Sequence, residues 1–579
     1  MATDEATFDT SLSELFASLV ESYRRLPMPL GVYLTRYLLP SAIALLVTLV
    51  LPLVISLPLI IALPIPLLGV LIFGAVVLYP KILVSQRRRA LNNRFHLMIT
   101  HMTVLSTTNI DRMEVFRALS QEEEYGALAE ELRRIVELVD TWNLSLDDAC
   151  RRRAKEVPSD HLSDFFDRLS YTLGAGQALE DYLVSEQDMM IENYKTVYRG
   201  TLGNLNVLQD LYLSMILSMT FALVFAIVLP ILTGTNPTMT VAAVILMFAL
   251  VQTGFFLTIR SIAPYDPVWF HAEDVESPIQ DRLDRAFKIG VGGSALLVAI
   301  ALAGVLGIGP GLAIFVPTIE TLPLPLYVSI PMTPMLYPGI VARQAEQTIK
   351  GRDEEFPSFI RALGATEGAK QSTTSAVLES LRNKDFGPLT HDVDNLYRRL
   401  NMRIEPAKAW HHFTAECGSY LIQKFSEMYL VGRQMGGSPK QLGELISENM
   451  NEILQLRQER TQETTTLIGM LYGITTASVF AFFIGLQIVT ILSGMSLDLA
   501  STAEFDVNSL INAKVYNIPL IESLLIFIIV FNAILSAMMI RTLDGGHKMN
   551  TYMHIVVLTW IGSVVAIFTR HMVDMFLTV

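Results

Sequence analysis

The sequence predicts an all-α polytopic membrane protein, with about nine transmembrane helices carrying two homologous cytoplasmic helical-bundle domains. Three observations predict it. The first is composition. Of the 579 residues 51% are hydrophobic, and the mean hydropathy of +0.42 is too high for an ordinary soluble chain of this size. The apolar residues are bunched in blocks long enough to cross a bilayer, which takes about 20 helical residues. Because the blocks exclude charge, charged residues fall to 17%, below the usual quarter.

The second observation is an internal repeat. Residues 169–183 and 428–445 both carry a glycine-bearing stretch just before an apolar block. Tyr125, Gly126 and Leu128 match Phe386, Gly387 and Leu389. Asp148 and Ala149 match Lys408 and Ala409, and Phe165 matches Phe425. One register, offset by roughly 260 to 263 residues, accounts for all of them, so one architecture is used twice. The third observation is charge placement. Residues 81–205 and 343–463 carry 16 Lys and Arg each, whereas 234–237, 309–323 and 494–518 carry only Lys514. Basic segments stay in the cytoplasm, so both polar domains are expected there. That requires an even number of crossings between them.

Taken in order, residues 1–36 read as an amphipathic cytoplasmic lead-in, with Phe8, Leu12, Leu15, Phe16 and Leu19 at helical spacing. No cleavable signal peptide is expected. Two spans follow at about 38–56 and 59–80, stopped by Lys81 and Arg87–Arg89, so that the pair occupies 37–80. The first polar domain is 81–205, with helix starts at Asp111, Ser145 and Ser159. Ser145 supplies an N-cap oxygen, and Asp147 and Asp148 lie in the first turn, where backbone N–H groups lack partners. Four spans occupy 206–342, at about 209–233, 238–260, 289–308 and 324–342. Pro325, Pro331, Pro334 and Pro338 interrupt the last, since proline removes a helical hydrogen bond. A membrane tolerates this where neighbouring helices satisfy the backbone. The second polar domain is 343–463. Gly436 and Gly437 end one helix, and Ser438 with Pro439 begins the next. Three spans fill 464–579, at about 466–493, 519–540 and 552–573.

The chemistry expected is sparse. Gly432 to Ser438 resembles the start of a phosphate loop, but Ser438 stands at the lysine position and no strand precedes it. It reads instead as a helix–turn–helix corner. His391, His411 and His412 have no metal-ligand spacing, and no metal, cofactor or catalytic group is expected. Cys150 and Cys417 form no Cys-x-x-Cys pair and read as small core residues. The spans hold almost no ionisable group of the kind that marks a transport path. Gln252, Gln487 and Asn532 are read as hydrogen-bonded joints between helices. Gly174, Gly176, Gly436 and Gly437 are read as structural helix corners. What remains is basic clusters: Arg151, Arg152, Arg153 and Lys155, then Arg398, Arg399 and Arg403, with Arg133 and Arg134 as a third. They are either solvated helix faces or a docking surface for an acidic partner.

Two helical domains, each with a glycine corner feeding a long helix into a span, resemble the type II secretion F domain. That fold marks the membrane platforms of type IV pilus-like machines. The likeness covers about 95–205 and 355–465 and is best in 169–183 and 425–445. The nine spans and extended amino-terminal pair are more similar to the archaeal branch, the J-type platforms that anchor the archaellum. The net charge of −13 and the excess of 31 Arg over 12 Lys suit a haloarchaeal member. The resemblance implies a non-enzymatic platform in the cell membrane. It would dock a cytoplasmic hexameric secretion ATPase, for which the basic clusters Arg151–Arg153 with Lys155 and Arg398, Arg399 with Arg403 are the docking surface expected from charge. It would also receive archaellin- or pilin-like filament subunits from the membrane lipid. It further implies a homo-oligomer, a dimer or higher, without a cofactor and without nucleic acid. A platform of an adhesion pilus or type II secretion-like system is the alternative. A membrane transporter with cytoplasmic regulatory domains is disfavoured by the uncharged spans.

Overall fold

The computed structural model describes residues 30–54, 64–306 apart from 109, 234, 265, 273 and 276, residue 312, and 322–370, 374–502 and 517–577. The lead-in residues 1–29 therefore lie outside the described residues. The chain falls into two compact units, divided between Met190 and Ile191.

The first unit opens with α1 (Leu30–Tyr33), a π-helical turn (Leu34–Leu38) and α2 (Leu39–Val54), followed by α3 (Pro64–Asn93). α3 runs without a break through Pro80 into Arg87–Arg89. A bundle of five shorter helices follows: α4 (Phe95–Ser106), α5 (Arg112–Gln121), α6 (Ala127–Asp140), α7 (Leu146–Ala154) and α8 (Asp160–Gly174). Each start predicted from a capping residue is a start. Asp111 accepts from the Arg112 N–H, Ser145 from Asp148 and Ser159 from Leu162. Phe116, Leu132, Cys150, Phe165 and Phe166 are fully buried between these helices. The burial of Cys150 fits its reading as a small core residue.

α9 (Leu179–Val228) runs unbroken for 50 residues from the first unit into the second, about 75 Å at 1.5 Å per residue. The second unit continues with α10 (Pro230–Thr233), α11 (Pro237–Ile262), α12 (Pro278–Val305) and α13 (Leu326–Met332). α14 (Leu336–Lys370), α15 (Thr374–Leu381), α16 (Thr390–Asn401), α17 (Pro406–Cys417) and α18 (Tyr420–Gln434) come next. The unit closes with α19 (Pro439–Thr502), α20 (Ile518–Asp544) and α21 (Asn550–Leu577). α19 has 64 residues, about 96 Å of continuous helix.

Seven helices among the described residues are long and apolar enough to cross a membrane: Gly31–Leu49 and those in α9, α11, α12, α19, α20 and α21. They coincide with seven of the nine predicted spans. The predicted 59–80 span lies partly outside the described residues. The 324–342 span is broken into α13, a 3-10 turn at Thr333–Met335 and the start of α14. Side chains bridge the break, one of them to a backbone carbonyl. Thr333 Oγ1 donates to the Ser329 carbonyl at 2.9 Å, and the Trp560 indole N–H donates to Thr333 Oγ1 at 3.0 Å.

Leu223, Ile227, Val241, Val489, Ile521 and Leu525 form part of a core shared by α9, α11, α19 and α20. Phe221, Leu250, Leu296 and Phe568 point outward and stay exposed, as expected of helices whose solvent is lipid. Inside, Gln252 donates to the Tyr212 hydroxyl at 3.3 Å and the Asn532 amide donates to Thr475 at 3.1 Å. Residues 261–287 depart from a simple amphipathic connection. Part of the segment is extended and bridges Trp269 to Ser419, with the Phe270 N–H on the Gly418 carbonyl and the Tyr420 N–H on Val268.

Candidate functional site

The repeat is visible in the folded chain. α5, α6, α7, α8 and α9 recur in order as α15, α16, α17, α18 and α19. Gly126 and Gly387 precede α6 and α16 with φ of 52° and 53°. Asn143 and Arg403 precede α7 and α17, and are the two non-glycine residues with positive φ among those described, at 52° and 59°.

Both predicted corners have the same hydrogen-bond pattern. After α8, the Gly176 N–H meets the Leu173 carbonyl and the Gln177 N–H meets Thr172. After α18, the Gly436 N–H meets Arg433 and the Gly437 N–H meets Gly432. This reach-back seals the last carbonyls of a helix and requires a left-handed residue at the turn. Gly176 and Gly436 supply it, with φ of 75° and 87°. Gly174 and Gly437 flank the turns without that conformation. The Gly432–Ser438 stretch needs no phosphate to explain it, since Pro439 opens α19 directly after Ser438.

Behind each corner a buried serine caps the helix that leads into it. Ser159 and Ser419 have nearly the same backbone, φ −100° and ψ 121° against φ −99° and ψ 131°. Ser159 Oγ donates to Asn92 Oδ1 at 2.6 Å, and Ser419 Oγ donates to Asp353. The second copy thus holds a carboxylate where the first holds an amide. That acid is the centre of a buried network. Arg457 of α19 donates to Asp353 at 2.8 Å, to both Asp266 oxygens at 2.6 and 2.8 Å, and to the Pro267 carbonyl. Burial pushes the Asp353 carboxyl up to about 6 against the pull of Arg457. A second buried acid, Asp392, also rises to about 6 through burial, although Arg352 lies 2.9 Å away. The alignment of Asn92 with Asp353 at the repeat offset is the one sequence signal for this network.

The predicted basic residues divide by environment. Arg151 lies over the Tyr171 ring, 5.6 Å from its centre, and 3.7 Å from Asp148. Arg152 and Lys155 are exposed. Arg153 is turned inward, with a side chain only 8% exposed, and pairs with Glu131 and Glu156. Its place on a stripe with Leu146, Ala149 and Cys150 was readable at helical spacing. In the second copy, Arg398 is exposed and pairs with Asp394 at 2.6 Å. Arg399 is held by Glu416, at 3.1 Å to one of its oxygens. Arg403 is exposed on its left-handed turn. Arg133 donates to the Ser120 carbonyl and Arg134 to Glu130. His411 sits 2.9 Å from Asp274, a contact that holds the Asp274 carboxyl below its ordinary range.

The two long helices meet at equivalent positions. Lys195 pairs with Glu452 and Arg199 with Glu459, both at 2.7 Å. Further along, the Asn206 amide donates to Glu463 at 3.1 Å, and the Thr220 and Ser478 hydroxyls meet at 2.9 Å. The partners advance together, so α9 and α19 run parallel along this seam.

Residues 98–230 match the family of type II secretion system protein F, a stretch that takes in the first corner and α9. The whole chain is similar to the flagella accessory protein J of Methanocaldococcus jannaschii, 32% identical over 554 residues, 94% of this chain and 96% of the relative. It is likewise 32% identical over 542 residues to the flagella accessory protein J of Methanococcus voltae, covering 93% of this chain and 95% of the relative. No solved structure matches the chain.

Proposed function

Since the chain belongs to the family of flagella accessory protein J, multi-pass membrane proteins with a type II secretion F domain, we propose that it is the integral membrane platform of an archaellum-type filament machine. In that role both helical modules, 81–205 and 343–463, face the cytoplasm. They dock a hexameric secretion ATPase, and the membrane helices guide filament subunits from the bilayer into the growing filament. The role is structural rather than enzymatic, and the platform works as a homo-oligomer. The names of the relatives favour the flagellar machine over an adhesion pilus.

The observation that carries this reading is the continuity of α9 and α19 from a helix corner into a membrane span. A force applied at a corner reaches the bilayer along unbroken backbone hydrogen bonds, with no loop to absorb it. The parallel seam of ion pairs and hydroxyls couples the two rods.

The docking surface offered to the ATPase is the outward subset of the basic residues: Arg151, Arg152 and Lys155 in one module, Arg398 and Arg403 in the other. Arg153 and Arg399 hold those surfaces in shape from within. Surface ion pairs contribute at most about 1 kcal/mol to folding, whereas like charges facing each other at an interface cost several. The test is capture of the ATPase by tagged full-length protein from solubilised membranes. Arg151→Glu with Arg152→Glu, or Arg398→Glu with Arg403→Glu, should insert normally, lose ATPase capture and build few filaments. Unchanged capture and filament number in both double variants would remove these clusters from the interface. Transport by the reconstituted chain alone would replace the platform role with a transporter.

A further inference from the structure

We propose that the cleft between α12 and α14 binds an anionic, phosphate-bearing lipid of the surrounding membrane. The two helices run antiparallel, and α12 is pressed tightly against the start of α14 and the turn before it. A Cβ on Gly290 would lie 2.9 Å from the Pro338 ring, and one on Gly293 would lie 3.0 Å from Pro334. Nothing larger than glycine fits there. Toward the start of α12 the helices part and leave a cleft of about 600 Å³, within the usual range for small-molecule sites.

The lining is graded. Arg282, Arg285 and Ile289 occupy one face of α12; Tyr337, Val341, Gln344, Thr348 and Arg352 occupy one face of α14. The antiparallel arrangement brings the three arginines, with Ile279 beside them, to one end and Ile289, Tyr337 and Val341 to the other. No carboxylate lines the cleft. Arg352 is committed to Asp392 at 2.9 Å and to the carbonyls of Glu416 and Cys417. Arg282 and Arg285 are exposed, and among the described residues neither forms an ion pair; Arg285 Nε reaches only the Asp281 carbonyl. The cleft therefore carries positive charge that its own walls leave uncompensated.

A soluble anion would account for the arginines alone. The apolar end is what selects a lipid. It lies where α12 passes from Lys288 into its apolar run, and Tyr337 there is half exposed, as aromatic side chains are at a membrane boundary. A phosphate between Arg282 and Arg285 would place its glycerol beside Gln344 and Thr348 and lay its chain along Ile289 and Val341. Basic pockets between membrane helices at that depth take lipid headgroups.

The test uses purified full-length protein, stripped of lipid in detergent and returned to vesicles of equal parts phosphatidylglycerol and phosphatidylcholine. The lipid that stays with the protein on re-extraction is then counted by mass spectrometry. Wild type should retain phosphatidylglycerol over phosphatidylcholine. Each arginine near the surface is worth roughly fivefold in anionic-lipid affinity, so Arg282→Gln with Arg285→Gln should lower retention about thirtyfold. Arg343→Gln, an exposed arginine of α14 that does not line the cleft, should change nothing. Val341→Trp fills the apolar end and leaves both arginines, so it should also release the lipid while the melting temperature stays native. This second variant decides the matter if the double variant folds poorly. Equal retention in wild type and Val341→Trp would overturn the proposal. So would radiolabelled inorganic phosphate that binds wild type and Val341→Trp alike and displaces phosphatidylglycerol, because the site would then be one for a free anion.

Discussion

Arg152 and Arg153 are neighbours on α7, yet one faces water and the other a buried carboxylate. Removing or reversing one partner of a buried pair costs about 3 to 5 kcal/mol, because the remaining charge is left without compensation. Glu131, fully buried, would keep Arg87 at 3.1 Å and Arg134 at 3.2 Å, but Arg153→Glu would bury a second carboxylate against it with no cation of its own. It should therefore strip the first module of protease resistance, while Arg152→Glu should leave it within about 1 kcal/mol of wild type. Equal resistance in the two variants would mean that Arg153 is as dispensable as its neighbour. Arg457 is the same problem with two acids. The Asp353 carboxyl, raised to about 6 from an ordinary 3.8, binds protons more tightly folded than unfolded. Its contribution therefore weakens as pH rises through the window from about 4 to about 6. Arg457→Met removes the compensating cation, raises that carboxyl further and extends the window upward. The variant should melt well below wild type at about pH 7.5 and recover part of the difference at about pH 5. A melting temperature for the variant that is flat across this range would contradict the network. Arg403 tests backbone against charge. Its left-handed φ of 59° suits glycine better than arginine. Arg403→Gly should leave stability undiminished while weakening ATPase capture, which separates docking from folding in one substitution.

At the scale of elements, glycines act in two distinct ways. Gly176 and Gly436 hold a left-handed turn, with nothing within 4 Å of the place a Cβ would occupy. Alanine at either should cost about 1 kcal/mol of unfolding free energy, from backbone conformation alone. Gly364 acts through space. A Cβ there would come 2.3 Å from the Pro439 carbonyl oxygen and 3.1 Å from the Cα of Gly443. Backbone cannot step aside as a side chain can, so α14 and the start of α19 would have to separate. Gly364→Leu should cost more than either corner alanine, on the order of 1 to 3 kcal/mol or above, read as a lower melting temperature of the solubilised protein. A Gly364→Leu variant that melts with wild type would show that the two helices do not approach in this way.

For the whole molecule the outstanding matter is sidedness. Charge asymmetry expects residues 234–237 on the outer face and both modules inside. Cys150 and Cys417 are both buried, so a membrane-impermeant thiol reagent meets little background. Thr235→Cys should label on intact cells, whereas Glu123→Cys and Glu405→Cys should label only after the membrane is opened. Labelling of either of the last two from outside would remove the platform scheme, because no cytoplasmic ATPase could reach that module.

Much of this architecture was present in the amino-acid order, because its causes are local. A serine or aspartate before an apolar stripe caps a helix wherever the stripe is, so Asp111, Ser145, Ser159 and the start at Pro439 were readable. An apolar run long enough for a bilayer is a property of the run itself, which made seven spans visible. The repeat made the two glycine corners visible together. Proline breaks were visible too, but not their result. The 324–342 segment divides at Thr333–Met335, where Thr333 meets the Trp560 indole from a distant helix. The direction of each arginine was likewise a tertiary matter. Asp266 lies 191 residues before Arg457, and Asp353 lies 104 residues before it. Burying a charge is unfavourable until a partner arrives, and that partner comes from a distant element. Local pattern therefore determined the all-α class, the helices and their corners. Only long-range packing decided which charges are desolvated inside the modules and which remain on the surface for a partner.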